Sequence, residues 1–339
     1  MRAALFDHIK NMTMIEKDIP KIGESEVLIQ LTTAGICGSE VHAYVGTHPF
    51  RTPPSILGHE VIGNIVLIGD KVTTLNVGDM VTVEPHVGCS HCSQCLEGRY
   101  NLCKEKIVLG TQKWDGGFAE YMTAPEQAVY IIPKTLSPYL AVLTEPLAVG
   151  VHAVNIADVK NGDKVAILGS GPIGLVTAVA AHYKGADTIC LTDAIDTNLE
   201  IGKRLCATDV VNVREQSLQN YVSANIGEFD HVFITFGHKS VIDDAFNVIK
   251  RKGKIISIAL FEESVPIDWN RVMISEVQMF GSSMYVKEDF KMAIDIITSQ
   301  KYNLESLVTH RYPFERINEA METAVTKSGY PIKIVLDLP

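Results

Sequence analysis

The chain has 339 residues, 46% of them hydrophobic and 21% charged, with a formal net charge of −10. These proportions belong to a globular protein of about two domains, at roughly 150 residues each, whose core needs no disulfides to hold it. The acidic balance excludes a protein that follows nucleic-acid phosphates with a basic face.

The opening stretch MRAALFDHIKNMTMIEKD has no apolar run of signal-peptide length, because Asp7, His8 and Lys10 interrupt it. No segment reaches the roughly 18 uninterrupted apolar residues of a membrane span. A cytoplasmic protein with reduced thiols is expected, and the odd total of seven cysteines fits poorly with full disulfide pairing.

Through the first 150 residues, short β-type runs alternate with turn signals. EVLIQLTTAGI, HEVIGNIVLIG and DMVTVEP are the strand candidates, with IGD and NVGD between them. Ala141 to Ala157 is expected to be helical, closed by KNGD at Lys160–Asp163. Strand and helix then alternate. KVAIL, TICLTD, DVVNV, HVFITFG and KIISIAL are expected strands; IGLVTAVAAHYKGA, NLEIGKRL, SVIDDAFNVIKRKG and DFKMAIDIITSQ are expected helices. That order implies right-handed crossovers and a parallel sheet. The tail YPIKIVLDLP carries a strand signal that returns to the first domain.

GSGPIG, Gly169 to Gly174, follows the expected strand Lys164–Leu168 and opens a helix, the context that gives G-x-G-x-x-G its meaning. A side chain at Gly171 would bar a pyrophosphate from the helix N-terminus, whose N–H groups attract anions. Asp193 stands nineteen residues after Gly174, at the end of the next strand. A carboxylate there accepts both adenosine ribose hydroxyls and repels a 2′-phosphate, which favours NAD over NADP.

Cys89, Cys92, Cys95 and Cys103 follow C-x2-C-x2-C-x7-C. Four thiolates at this density can close a tetrahedral shell on Zn²⁺. A bacterial iron–sulfur run would place its fourth cysteine nearer and follow it with proline, whereas Lys104 follows here. A closed shell leaves no room for substrate, so the cluster is expected to brace a loop. Cys190 and Cys206 have no ligand spacing and read as buried small hydrophobes. Cys37, Ser39, His42, His59 and Glu60, in AGICGSEVHAYVG and ILGHEVIG, form a looser set. Cys37 and His59 lie 22 residues apart, so spacing alone brings nothing together.

Taken jointly, these motifs resemble the zinc-dependent medium-chain alcohol dehydrogenase superfamily, in its polyol, threonine and sugar-acid branch. The resemblance runs along essentially the whole chain, through AGICGSEVH, LGHE, CSHCSQCLEGRYNLC, DGGFAEY, TEPLAVGVHA, GSGPIG and THRYPF. It implies an α/β protein in which a GroES-like β-rich catalytic domain, residues 1–150 and 288–339 with a zinc lobe at 89–103, carries a Rossmann NAD-binding domain at 151–287. It implies a catalytic zinc on Cys37, His59 and Glu60, with Glu145 joining the metal or contacting substrate, and a structural zinc on the four clustered cysteines. Three protein ligands with one open position suit zinc catalysis; zinc lowers the pKa of bound water from about 15.7 to roughly 7 and acts in kind on an alcohol.

Ser39 would take the proton and His42 pass it to solvent. Cofactor contacts are implied for Gly169, Gly171, Pro172, Ile173, Gly174, Asp193, Asn198, Ile258, Ala259, Leu260, Ser282 and Ser283. The implied reaction moves hydride from a secondary alcohol of a small polyhydroxy substrate to NAD, in a homo-oligomer, tetramer or dimer, with no nucleic-acid or membrane partner.

Within the branch the signals divide. Sorbitol-type relatives often have tyrosine directly after the relay histidine and an arginine late in the nucleotide domain; here Ala43 precedes Tyr44, and Met284 lies beside Tyr285. Threonine dehydrogenase relatives have arginine five residues after the ribose acid, where this chain has Asn198. HAYVGTHPF and THRYPF look more like the L-galactonate-type subgroup. A hydroxy acid would want a cation, for which Arg51, Lys113 and Lys287 are candidates. Threonine 3-dehydrogenase and aminocyclitol dehydrogenase activities are the alternatives. A zinc-free relative with a structural role would lack Cys37, His59 and Glu60, and a nucleic-acid-binding zinc module would not be acidic.

Overall fold

The computed structural model describes residues 1–261 and 263–339. The chain divides into two compact units, Met1–Glu145 with Leu304–Pro339, and Pro146–Asn303. The division falls at 145/146 and 303/304 rather than at 150/151 and 287/288. The second boundary moves because Phe290, Ala293, Ile296 and Ile297 of the helix Lys287–Thr298 are buried, and this helix packs on the glycine-loop helix of the second unit.

In the first unit the strand Glu26–Ile36 is the hub of a seven-stranded sheet. Its burial is almost continuous, because it pairs with Glu60–Ile68 on one side and, on the other, with Tyr121–Pro125 along its first half and Lys333–Asp337 along its second. Met80–Val83, Val129–Ile131 and Val308–Pro313 complete the sheet. Asn11–Glu16, Arg2–His8 and Ser55–Ile56 form a second, three-stranded sheet. One apolar core unites both, with Phe6, Ile29, Leu31, Leu57, Phe118 and Phe314 all inaccessible to solvent. The C-terminal strand pairs antiparallel with Glu26–Ile36, as its sequence implied.

The second unit is a six-stranded sheet in the order Asp209–Asn212, Thr188–Asp193, Lys164–Leu168, Phe229–Ile234, Ile249–Ser257, Gln278–Gly281. Every pairing is parallel. This is the doubly wound order, in which the chain reverses direction beside its first strand and leaves a crevice at the carboxyl ends. The expected helix SVIDDAFNVIKRKG stops at Val248, and a strand begins at Ile249. Ile249 pairs with Phe229, and Lys252 takes a left-handed φ of 62°, which a helix cannot accommodate.

The helical stretch Pro138–Ala157 is long and apolar enough to cross a membrane, but 78% of its most apolar window is buried within the protein. It also contains Glu145.

Candidate functional site

Strand register answers how Cys37 meets Glu60. Gly35 pairs with Glu60, and Ile36 pairs with Ile334 on its other side. Cys37, one residue past the end of its strand, therefore lies between the starts of two neighbouring strands, which bring Glu60 and Lys333. Gly35 is required here: a Cβ on it would stand 2.0 Å from Glu60 Oε2. His59 enters from the turn at Gly58, whose φ of +96° favours glycine. Cys37, His59 and Glu60 thus present ligand atoms within 4.8 Å of one another. Glu145, in the first turn of the helix Thr144–Ala157, places Oε1 3.9 Å from His59 Nε2.

Glu40 was not singled out in the sequence, yet it ties the set together. Its Oε2 accepts the Cys37 main-chain N–H at 3.0 Å, capping the helix Gly38–Tyr44, and its Oε1 lies 2.5 Å from His59 Nδ1. One fully buried carboxylate therefore fixes the turn that carries Cys37 and leaves His59 Nε2 facing the other ligands. The available signal was an acid three residues into a helix start, the capping-box position. Burial opposes charge on both His59 and Glu40, but each answers the other: the histidine is raised well above its ordinary pKa and the carboxyl is held well below its own.

Lys333 was missed as well, since a lysine in an apolar terminal strand reads as an edge residue. It is 3% exposed and lies 2.6 and 2.7 Å from the two Glu60 oxygens. Burial works against its charge, and Glu60 more than restores it. The mixed sulfur, imidazole and carboxylate donors of Cys37, His59 and Glu60 suit zinc.

Arg51 is not free for a substrate carboxylate. It is buried, donates to Leu109 O and Gly110 O at 2.9 and 2.8 Å, and lies 3.6 Å from Glu40. Lys113 and Lys287 are exposed.

Ser39 and His42 are one helical turn apart and so share a face. The Ser39 hydroxyl oxygen is buried and, among the described residues, has no hydrogen-bond partner. Thr47 Oγ1 donates to His42 O at 3.3 Å and lies 3.1 Å from His42 Nδ1. The threonine's one proton is thereby committed, so Nδ1 is the donor and Nε2 keeps its lone pair as a base.

The cysteine lobe is compact. The four sulfurs lie within 4.8 Å of one another, and Cys89 Sγ is 3.9 Å from Cys95 Sγ. Zn–S bonds of about 2.3 Å in a tetrahedron set sulfurs about 3.8 Å apart, so the shell has the size zinc needs. The Cys89 and Glu105 main-chain N–H groups, against the cost of burial, draw the Cys103 thiol down to about 6. Burial pushes Cys95 up to about 12. Cys190 is buried as expected, whereas Cys206 is only partly covered, because it follows the end of the helix Asp196–Leu205.

In the second unit, Gly169 takes a φ of +105°, and a Cβ on Gly174 would strike Gly169 O at 1.9 Å. Around Gly171, by contrast, a Cβ would meet nothing within 4 Å, so the space that the motif reserves for a phosphate is open. No side chain caps the helix Pro172–Tyr183, where Pro172 and Ile173 form the first turn. Asp193 Oδ2 accepts the Ser170 N–H at 2.9 Å, and Oδ1 accepts those of Ala194 and Ile195 at 2.7 and 3.0 Å. Asn198 is nearly buried and holds the same carboxylate at 3.3 Å. Ile258 and Ala259 donate to Ile234 O, Leu260 is 76% exposed, and Ser282 has a buried unpartnered hydroxyl. With Ser283, these residues follow the carboxyl ends of the last two strands.

Residues 23–134 match the alcohol dehydrogenase GroES-like domain, and residues 172–299 match the zinc-binding dehydrogenase domain. The chain is 33% identical to sorbitol dehydrogenase of Bacillus subtilis, over 99% of this chain and 97% of that protein. It is 30% identical to L-galactonate-5-dehydrogenase of Escherichia coli, over 99% and 98%. A crystal structure of an Escherichia coli oxidoreductase/dehydrogenase of unknown specificity superimposes with a TM-score of 0.95 at 32% identity, covering 100% of this chain and 99% of that one. Fold, site geometry and full-length similarity agree: this chain is an oxidoreductase of the zinc-dependent medium-chain alcohol dehydrogenase superfamily, in its polyol and sugar-acid dehydrogenase branch.

Proposed function

We propose that the protein oxidises a secondary alcohol of a small polyhydroxy compound, a polyol or sugar acid, to the ketone, with NAD as hydride acceptor. The convergence of Cys37, His59 and Glu60 on one point carries this reading. Zinc there would supply Lewis-acid polarisation of the substrate hydroxyl, and the dinucleotide would take the hydride. The residues themselves would do the rest. Glu40 holds His59 in its metal-facing orientation, Lys333 fixes Glu60, Glu145 joins the metal or contacts the substrate, and the Ser39 hydroxyl accepts the departing proton. His42 Nε2 passes that proton to solvent.

Asp193 supports NAD over NADP, because its carboxylate is tied to the glycine loop through the Ser170 N–H and would repel a 2′-phosphate on a ribose bound there. The names of the similar proteins favour polyols and sugar acids. The commitment of Arg51 to main-chain carbonyls removes one candidate anchor for a substrate carboxylate and tilts the choice toward neutral polyols. Two zinc ions per chain, a cytoplasmic location, a homo-oligomeric state (tetramer or dimer) and the absence of nucleic-acid or membrane partners belong to the same proposal.

The test is reduction of NAD⁺ and NADP⁺ across polyols, aldonates, threonine and aminocyclitols, with zinc counted per chain. NAD⁺-dependent oxidation of a polyol or aldonate supports the reading. Turnover confined to threonine or to an aminocyclitol would replace it.

A further inference from the structure

A third set of metal-ligating atoms lies at the rim of the cysteine lobe, where Cys89 Sγ, His91 and Glu105 approach within 4.8 Å of one another. Unlike Cys103, which is buried, His91 and Glu105 are open to solvent, with side chains 70% and 67% exposed. His91 is not free to turn, because its Nδ1 lies 2.8 Å from the carbonyl oxygen of Cys89. A carbonyl only accepts, so Nδ1 carries the proton, and in the neutral ring Nε2 keeps its lone pair. That nitrogen faces Glu105 Oε1 across 3.7 Å, too far for a hydrogen bond. A ring nitrogen and a carboxylate oxygen therefore face each other with no hydrogen bond between them, beside a thiol that also belongs to the four-cysteine cluster. A cation fits that gap.

We infer that Cys89, His91 and Glu105 form an entry site for zinc, through which the ion reaches and leaves the four-cysteine shell. The fourth thiol, Cys103, is buried behind the three partly exposed ones, and an incoming hydrated ion must shed its water stepwise before it reaches that thiol. His91 and Glu105 give it a nitrogen and an oxygen at the surface while Cys89 gives the first sulfur. Cys92, Cys95 and Cys103 then displace the two outer ligands and the last bound water, each thiol releasing its proton to solvent as it binds. Exit retraces the same steps, so the site speeds exchange in both directions and leaves the equilibrium content unchanged. The inference rests on the reading of the four cysteines as a zinc shell.

The experiment is isotope exchange in the full chain. A Cys37→Ser background confines the measurement to the lobe. Natural-abundance protein is mixed with excess ⁶⁷Zn²⁺, desalted at intervals and analysed by mass spectrometry. His91→Ala and Glu105→Gln should each slow exchange severalfold, and together by about tenfold or more. Zinc content should stay at one per chain with melting temperature unmoved, and His91→Cys should recover the rate. Exchange as fast in the double variant as in its parent overturns the entry site. Loss of zinc from the double variant at equilibrium also overturns it, because the residues would then be structural ligands. A Cys37→Ser parent that holds no zinc overturns the four-cysteine reading itself.

Discussion

Lys333 and Glu60, 273 residues apart in sequence, form a buried ion pair in which the ammonium lies 2.6 and 2.7 Å from the two carboxylate oxygens. The pair sits where the C-terminal strand lies against the strand leading to Cys37, so it joins the end of the chain to the metal ligands. Removing one partner of a buried pair leaves an uncompensated charge and costs about 3–5 kcal/mol. Lys333→Met should therefore lower the melting temperature, and by more after chelation than before, since a bound dication offsets the charge on Glu60. Calorimetry with and without chelator checks this; an equal loss in both states would contradict it.

Glu40→Gln should weaken the catalytic metal site. The amide would still fill the space, but it cannot hold His59 as a carboxylate does. Loss of such an orienting partner costs about 10–100-fold in metal affinity. Competition against a chromogenic chelator measures it, and unchanged affinity would remove Glu40 from the site.

Ser39→Ala and His42→Ala should lower turnover with the zinc content intact, by a factor of about 10² if the relay is the main proton path. The unpartnered Ser39 hydroxyl and the tautomer that Thr47 sets on His42 are the features at stake. Wild-type turnover in both variants would dismiss the relay.

Cys92→Ser, or chelation of the lobe, should act on stability or assembly first. A zinc ion held by all four cysteines would brace residues 89–103 and offer substrate no open position. A variant with reduced rate at unchanged melting temperature and oligomeric state would show that the lobe takes part in chemistry.

In the second unit Asp289 accepts from Asn155 at 2.7 Å and lies 2.7 Å from His152 Nδ1. Burial raises its pKa, but His152, the Val286 N–H and Asn155 together hold it below its ordinary value of 3.8. A depressed carboxyl contributes stability above its unfolded pKa and loses it as the pH falls through the lower, folded value. Asp289→Asn should cost about 1–3 kcal/mol at pH 7, and the gap from wild type should narrow below about pH 4. Denaturant titrations across pH check this, and a gap independent of pH would refute it.

The second unit was the more legible from sequence. A parallel sheet buried on both faces makes each strand a short apolar run, and phosphate binding restricts the loop after the first strand to glycine, so local pattern and function coincide in GSGPIG. The four clustered cysteines were legible for the same reason, since all four ligands come from one short segment. What failed was local too: SVIDDAFNVIKRKG keeps a helical pattern past Val248, but pairing with Phe229 draws Ile249 into the sheet.

The sequence by itself determined the α/β plan and marked the glycine loop with its acid and the cysteine cluster as candidate sites, because in each the decisive residues are neighbours along the chain or fall at a fixed period. Only the tertiary structure decided the company of the candidate metal ligands Cys37, His59 and Glu60. Glu40 orients His59, Lys333 balances Glu60, and Arg51 turns away to main-chain carbonyls, through strand register and buried charge. Register is a long-range pairing, and a buried charge is defined by the partner that neutralises it, so neither can be read from the order of residues alone.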